Sequence, residues 1–410
     1  MNKELHKIQK KEPILIINDN DYREFCNEKA RKVINFYKNH SEYNKIIIFP
    51  GFHPEEFGLP ASSLLLSDKI YPFSTGFDVG CGYLILIVYD IDPIKMNKIT
   101  KKLENSNEIS KIFNKNIENS SWIIKKMNKI TKKMLQNEFS KKFYFVAKKI
   151  IWNNFGELNP GGHFIEFHIL EKIYEESLKS LNNNSLLLIV HNGSGNYGKK
   201  LLVLLAQMFG YFEGNKLNLQ DIPKIEDKIH QVYIPFWNHS ISRGKNGNKN
   251  WLMFLELYKN ILEYSFLNRL YIAEQVIDFL SQEFNHSIKF DFVSDSIHSS
   301  IFVEKFNHNR IAIHRSGLTK ISKKFQYYYI GSNPGEKSFL IKPLQKAKDT
   351  FYSIPHGTSK VHNTKYFKNI KSVITPLLEK GIIKLAIKLK PLISIKRVGS
   401  SKKDVICTKW

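Results

Sequence analysis

Histidine and cysteine side chains occur at places in this sequence where an apolar stretch meets a glycine-rich loop. Asp78 and Cys81 lie three residues apart in GFDVGCGY, His163 precedes FIEFHIL, and His191 stands between SLLLIV and NGSGNYG. Together, a carboxylate, a thiolate and imidazoles suit a borderline ion such as Mn²⁺, Zn²⁺, Co²⁺ or Fe²⁺ better than Mg²⁺ or Ca²⁺, which prefer oxygen ligands. His298, in DSIHSSIFVE, is a fifth candidate ligand.

The same residues also have ordinary structural explanations. A small buried cysteine beside a turn aspartate, or a histidine that is hydrogen-bonded at a strand end, gives the same local pattern. In FIEFHIL, alternation along a strand places Glu166 and His168 on one side. Spacing alone does not connect His298 with the other candidates.

His356 is the residue that could act as a nucleophile. It lies in YSIPHGTSK, between a proline that fixes the incoming backbone and a glycine that frees the outgoing backbone. A neutral imidazole held beside a metal-bound phosphate can attack phosphorus and form a phosphoramidate. A turn histidine without a chemical role would have the same surroundings in the sequence.

The pattern of apolar residues predicts a mixed α/β framework around these side chains. It indicates strands at KIIIF, LILIVYD, FIEFHIL, SLLLIV, KFDFV, RIAIH, FQYYYI, SFLIK and IIKLAIKLKPLISIK. It indicates helices at about 171–181 and 366–380, and a long buried helix over 249–283. Because no regular βαβ rhythm is present, we expect one α/β (α+β mixed) body and not a doubly wound sheet.

Composition points to a large protein with an anionic partner. The 410 residues include 62 Lys and Arg against 38 Asp and Glu, a formal charge of +24, which favours nucleic acid as partner. An A/T-rich coding bias toward Lys, Asn and Ile would also produce part of this excess. Three separated cysteines argue against a disulfide framework. The apolar runs are too short to cross a bilayer and the first residues lack a signal sequence, so we expect a cytoplasmic protein with no membrane partner.

The chain divides into three regions by composition. Residues 1–43 are a basic, helix-rich lead-in, residues 44–396 carry the motifs, and residues 397–410 form a basic tail. Within the middle region, residues 93–150 resemble a Lys/Asn-rich insertion, in which MNKITKK occurs twice, from Met96 and from Met127. We interpret the two copies as exposed basic helices and not as a solenoid.

An ordered set of motifs resembles the RtcB family of RNA-splicing ligases. The motifs are GFDVGCGY, GGHFIEF, HNGSGNYG, the pair Asn268 and Arg269 in the long helix, HSSIFVE followed by HRSG, GSNPGEKSF, IPHGTSK and KPLISIK. The resemblance covers roughly residues 44–396. It implies one large RtcB-like body with a central metal site in a cleft between β-sheet layers.

The resemblance also implies an activity: joining an RNA 3′-phosphate or 2′,3′-cyclic phosphate to a 5′-hydroxyl, in tRNA splicing or RNA repair. GTP and two Mn²⁺ ions are the implied cofactors, with GMP linked to a histidine, and an activating protein is an implied partner. His356 matches the guanylylated histidine. The implied metal ligands are Asp78, Cys81, His163, His191 and His298. The implied nucleotide contacts are Glu166, Asn268, Ser338, His356, Lys360 and Lys396.

Several positions depart from the family pattern. Gly162, Ser299 and Gly51 stand where the family usually has Asn, Asn and Asp. Gly195 and Lys360 stand where it usually has Arg, and an ammonium cannot replace a bidentate guanidinium. These changes leave two alternatives open: an RNA-binding paralogue that keeps the metal core but does not ligate, or a phosphodiesterase that opens cyclic phosphates without sealing.

Overall fold

The computed structural model describes residues 13–17, 22–23, 26–39, 45–55, 57–103, 122, 125–129, 155–181, 185–208, 234–235, 247–306, 309–358, 369–399 and 405–410. Strands and helices are mixed without regular alternation, which confirms the α/β prediction. Lys360 and most of residues 93–150 lie outside the described residues. Of the described helices, none is long and apolar enough to span a bilayer.

The described strands, in chain order, are β1 (Ile14–Leu15), β2 (Lys45–His53), β3 (Ala61–Ser67), β4 (Lys69–Ile70), β5 (Gly82–Val88), β6 (Phe164–Ile173), β7 (Leu186–Asn192), β8 (Ile234–Pro235), β9 (Phe290–Ile297), β10 (Ser299–Phe306), β11 (Asn309–Ser316), β12 (Leu318–Lys320), β13 (Tyr328–Ile330), β14 (Ser338–Pro343), β15 (Ser353–Pro355), β16 (Ile383–Arg397) and β17 (Val405–Lys409). The described α-helices are α1 (Glu28–Asn39), α2 (Pro93–Leu103), α3 (Gly195–Met208), α4 (Gly247–Phe284) and α5 (Ile370–Glu379).

Two sheets dominate the described part of the chain. The larger follows the order β13-β14-β16-β6-β7-β5-β9, and β17 also pairs with β16. Every pairing within this sheet is antiparallel. The smaller follows the order β1-β2-β3-β11-β10. Only His298 separates the end of β9 from the start of β10, so the chain passes from one sheet to the other at that residue.

Helix α4 runs through the apolar interior for most of its length. Tyr258, Ile261 and Tyr264 belong to one buried cluster, and Ile272 and Val276 belong to a second cluster that covers one face of the larger sheet. The spacing of three and four residues explains why the sequence predicts this helix correctly. Another apolar cluster, with Ile85, Ile189 and Leu389, covers the other face of the sheet.

The helix predicted at about 171–181 is wrong. β6 continues to Ile173, which pairs with Ile387 of β16, and only a short 3₁₀ turn, Glu176–Leu178, follows. Glu171 and Glu175 form ion pairs with lysines that lie on β16, on β14 or just before β14. Cross-strand pairing therefore decides the structure where the local sequence suggests a helix.

Two other predicted elements have different limits in the structure. The predicted helix at 366–380 begins at Ile370 in the structure, and residues 359–368 are not described. The segment predicted as a basic tail contains β17, which pairs with the end of β16.

Candidate active site

The predicted metal ligands meet at one edge of the larger sheet. Cys81 immediately precedes β5 and His163 immediately precedes β6, whereas His191 lies near the end of β7 and His298 follows β9. Because neighbouring strands of this sheet are antiparallel, the starts of β5 and β6 and the ends of β7 and β9 come to the same edge.

Short contacts connect all five predicted ligands. The Cys81 Sγ lies 3.3 Å from His163 Nε2 and 3.2 Å from His191 Nε2. The ligand atoms of these three residues are all within 4.8 Å of one another. On one side, Asp78 Oδ2 lies 2.6 Å from His163 Nε2, and on the other His298 Nε2 lies 3.2 Å from His191 Nε2. The structure therefore brings the five side chains into one group.

Backbone carbonyls orient two of the imidazoles. His163 Nδ1 lies 3.0 Å from the Pro160 oxygen, and His191 Nδ1 lies 3.1 Å from the Gly162 oxygen. A carbonyl only accepts, so each Nδ1 carries a proton. Burial lowers the pKa of His191, so its Nε2 keeps a lone pair. Burial acts to lower the pKa of His163 as well, but Cys81 and Asp78 outweigh it and raise this pKa, so His163 Nε2 would present its lone pair only to a bound metal ion. Among the described residues, the buried His298 Nδ1 has no hydrogen-bond partner. This donor set and its orientation fit a divalent metal ion.

The Asp78 carboxylate is held at the start of α3. Its Oδ1 accepts a 2.7 Å hydrogen bond from the Gly195 N–H, and the N-terminus of a helix favours negative charge. Burial acts to raise the pKa of Asp78, but His163 and the Gly195 N–H outweigh it, so this pKa is lowered. Asp78 is thus kept as a carboxylate beside the imidazole.

A buried arginine of α4 forms hydrogen bonds with the backbone next to two of the predicted ligands. The Arg269 side chain is fully buried, and its Nε and Nη2 donate to the two oxygens of Asp295 at 2.7 and 2.9 Å. Its Nη1 donates to the carbonyls of Gly80 and Asn192, at 2.7 and 2.8 Å. Gly80 precedes one ligand and Asn192 follows another. In the sequence, Arg269 stands out only as part of a motif, although a charge inside a buried helix requires a partner.

The imidazole of His356 lies beside the metal-ligand group. Its ring centroid is 4.5 Å from that of His298. His356 Nδ1 lies 2.8 Å from the Gly317 carbonyl oxygen, which leaves Nε2 as the unprotonated nitrogen. Burial lowers the pKa of His356 to about 4, and the nearby His53 acts in the same direction. The geometry thus presents a neutral imidazole next to the candidate metal centre.

Three of the predicted nucleotide contacts lie on the sheet near this group. Glu166 Oε2 is 3.0 Å from His168 Nε2, and both residues are buried, so the predicted shared side of β6 is confirmed. Ser338 Oγ accepts from the Tyr329 hydroxyl at 3.0 Å. Lys396 Nζ lies 5.7 Å from the centre of the Phe164 ring.

Of the three other predicted nucleotide contacts, His356 lies beside the metal-ligand group, as described above, and Asn268 and Lys360 remain. The Asn268 amide bonds to backbone, accepting from the Gly156 N–H at 2.7 Å and donating to the Gly193 oxygen at 3.2 Å. Its position supports the loops on either side of the ligand group, and its contact with a nucleotide stays a prediction. Lys360 lies outside the described residues.

The structure explains two of the departures from the family pattern. Gly195 has φ +51°, and a Cβ there would lie 2.3 Å from Asn159 Oδ1. Gly51 has φ +85°, and a Cβ there would lie 2.9 Å from the Gly357 oxygen. Both positions favour glycine. At Gly162, in contrast, no atom lies within 4 Å of an added Cβ.

Comparisons with known proteins agree with the motifs. The family model described as "tRNA-splicing ligase RtcB" matches residues 33–366. "RNA-splicing ligase RtcB2" of Escherichia coli is 22% identical over 322 residues, which cover 77% of this chain and 68% of that protein. "RNA-splicing ligase RtcB homolog 2" of Entamoeba dispar is 24% identical over 366 residues, which cover 76% of this chain and 66% of that protein. The chain thus spans about two thirds of the length of each relative.

Proposed function

Because the chain belongs to the RtcB family of tRNA-splicing ligases, we propose that it is an RNA ligase. In this proposal it joins RNA ends that carry a 3′-phosphate or 2′,3′-cyclic phosphate to ends that carry a 5′-hydroxyl. GTP activates the 3′-phosphate through GMP linked to His356. The observation that carries the proposal is the 4.5 Å separation between the rings of His356 and His298, which places a neutral imidazole beside the Asp/Cys/His group.

The ligand group would hold two divalent ions, as the family resemblance implies, and Mn²⁺ suits its mixture of donors. The residues that would hold the ions are those whose side chains meet at the sheet edge: Asp78, Cys81, His163, His191 and His298. Bound there, divalent ions supply positive charge that offsets the negative charge of the reacting phosphates.

The His356 side chain performs the first step. Its Nε2 lone pair attacks the α-phosphorus of GTP, a phosphorus–nitrogen bond forms, the bond to the β-phosphate oxygen breaks, and pyrophosphate leaves. The Gly317 carbonyl holds the Nδ1 proton, so the attacking nitrogen keeps its lone pair and its direction. Glu166, Ser338 and Lys396 are proposed to bind the nucleotide during this step.

The next steps transfer GMP and seal the strand. Water first opens a 2′,3′-cyclic phosphate end: a new phosphorus–oxygen bond forms, the bond to the 2′-oxygen breaks, and a 3′-phosphate and a 2′-hydroxyl result. An oxygen of the RNA 3′-phosphate then attacks the GMP phosphorus, the phosphorus–nitrogen bond breaks, and His356 is released. The 5′-hydroxyl then attacks the activated 3′-phosphate and loses its proton, a phosphodiester forms, and GMP leaves. The net charge of +24 favours binding of the RNA backbone through its phosphates.

Labelling with GTP tests the nucleophile. The protein is incubated with GTP labelled at the α-phosphate and Mn²⁺, and acid-labile label on the protein is measured. We expect label on the unsubstituted protein and none on His356→Ala. His314→Gln, which changes a buried histidine that bonds to the Tyr71 N–H and the Leu65 oxygen, serves as the control and should keep the label. Label on His356→Ala at the unsubstituted level would contradict the assignment.

Product analysis separates ligation from the two alternatives. An RNA with a cyclic-phosphate end is incubated with a second RNA that has a 5′-hydroxyl, together with GTP and Mn²⁺. A ligase makes the longer strand. Opening of the cyclic phosphate without a longer product would indicate a phosphodiesterase, and RNA binding without either product would indicate a non-ligating paralogue.

A further inference from the structure

Strand β17 extends the larger sheet on the far side of β16 from β6. It pairs with β16 so that Thr408 lies opposite Ser394 and Ile406 lies opposite Lys396. Directly opposed residues of antiparallel strands point to the same face of a sheet. One face of β17 therefore continues the face on which Lys396 lies.

That face is the face of the proposed nucleotide contacts. Ser394 also pairs with Glu166 across β16 and β6, so Thr408, Ser394 and Glu166 form one row. Neighbouring strands lie about 4.8 Å apart, which places β17 roughly 10 Å from β6. A purine nucleotide that reaches Glu166 therefore comes within range of the side chains of β17.

The two faces of β17 have different environments. Val405 is buried in the apolar cluster beneath the sheet, and Cys407 packs against the same cluster. On the opposite face, Ile406 is 45% exposed. Ser394, in the adjacent strand, is 1% exposed, and its Oγ has no hydrogen-bond partner among the described residues. The face thus combines a buried hydroxyl without a described partner and an exposed apolar side chain. A ligand could form a hydrogen bond with the hydroxyl and pack against the apolar side chain.

Trp410 connects β17 with the loop that precedes Ser338. The backbone N–H of Trp410 donates to the Leu392 carbonyl oxygen at 3.1 Å. Its ring lies against Gly335, where an added Cβ would be 2.6 Å from the indole. The indole is nevertheless 41% exposed, so it has aromatic surface free for a ligand beside that loop.

From this arrangement we propose that β17 forms the outer wall of the nucleotide site, and the proposal rests on the proposed function. Ile406 and Trp410 pack against the purine nucleotide, and Thr408 offers a hydroxyl to its polar edge. The chemistry of the wall, an aromatic ring and an aliphatic side chain beside hydroxyl groups, suits a flat base with polar edges. β17 then determines how tightly the nucleotide binds, while the reaction at His356 is unchanged.

Equilibrium dialysis of labelled GTP with Mn²⁺ tests the proposal. We expect Trp410→Ala to weaken GTP binding about tenfold, the effect of losing an aromatic partner for a base. Thr408→Val, which keeps the side-chain shape, should weaken binding about fivefold by removing a hydrogen bond. At saturating GTP, both variants should reach the same extent of covalent labelling as the unsubstituted protein.

Phe292→Ala is the matched control. Phe292 is 44% exposed and lies on β9, the edge strand of the sheet farthest from β13 and separated from β16 by β6, β7 and β5. It should bind GTP as the unsubstituted protein does. Equal GTP affinity in the unsubstituted protein, Trp410→Ala and Thr408→Val would overturn the role of β17. No GTP binding by the unsubstituted protein would instead refute the proposed function. Thr408→Val decides the question if Trp410→Ala does not fold.

Discussion

Replacement of Arg269 by lysine tests whether the buried guanidinium positions the metal ligands. The substitution keeps the positive charge but loses the planar fork that reaches both oxygens of Asp295 and the carbonyls of Gly80 and Asn192. A lysine ammonium in this space can satisfy only part of that set. At least two buried acceptors then lose their donors.

The expected cost follows from these contacts. Each buried acceptor left unpaired costs about 1–3 kcal/mol, so we expect Arg269→Lys to lower the free energy of unfolding by about 3 kcal/mol. Because Gly80 precedes Cys81 and Asn192 follows His191, the ligands lose their fixed positions as well. We therefore expect Co²⁺ to bind about tenfold more weakly, as is typical when support behind metal ligands is removed.

The assay needs two readouts and a matched control. Urea denaturation measures the free energy of unfolding, and a Co²⁺ titration, followed by thiolate-to-metal absorption, measures metal affinity. Arg315→Lys is the control, because Arg315 is also fully buried and bonds to Ser353 and the Phe351 carbonyl. It should lower stability and leave Co²⁺ affinity unchanged. If Arg269→Lys loses stability but binds Co²⁺ as tightly as Arg315→Lys does, the positioning role is refuted.

Other substitutions test further parts of the structure. Burial lowers the pKa of His314 to about 3, from an ordinary value of 6.5. Below pH 6.5, His314 therefore takes up a proton in the unfolded chain but not in the folded protein. This uptake should lower the free energy of unfolding by about 2 kcal/mol between pH 7 and pH 5. Urea denaturation at each pH should show that His314→Gln lacks this contribution. The same pH dependence in the variant and the unsubstituted protein would contradict the prediction. Gly195→Ala should lower the melting temperature, because Gly195 has a positive φ and no space for a Cβ. Gly162→Ala should leave the melting temperature equal or slightly higher, because the space around Gly162 is open. The reverse order of melting temperatures would be inconsistent with the described backbone. Cys81→Ser should remove the thiolate-to-Co²⁺ absorption, and its persistence would assign the signal to another cysteine.

Local pattern predicts those parts of the site that depend on a single element. Alternation along β6 correctly places Glu166 beside His168, and the apolar spacing in α4 correctly predicts a long buried helix. Glycine loops at strand ends indicate four of the five side chains that the structure brings together. In each case, the signal lies within one continuous segment of the chain.

Features that depend on distant pairing could not be predicted from the local sequence. His298 contacts His191 across 107 positions, and Arg269 reaches Gly80 across 189. The strand character of residues 171–173 comes from pairing with β16, more than two hundred residues later. For β17, the sequence shows a basic segment without a clear period, and only the register with β16 indicates which side chains face the site.

We propose that Asp78, Cys81, His163, His191 and His298 bind divalent metal ions beside His356. Crystals grown with Mn²⁺ and measured at the manganese absorption edge test it directly, because anomalous difference density locates the ions themselves. We expect peaks within bonding distance of Cys81 Sγ and of the Nε2 atoms that surround it. Manganese density elsewhere in the protein, with none at Cys81, would contradict the claim.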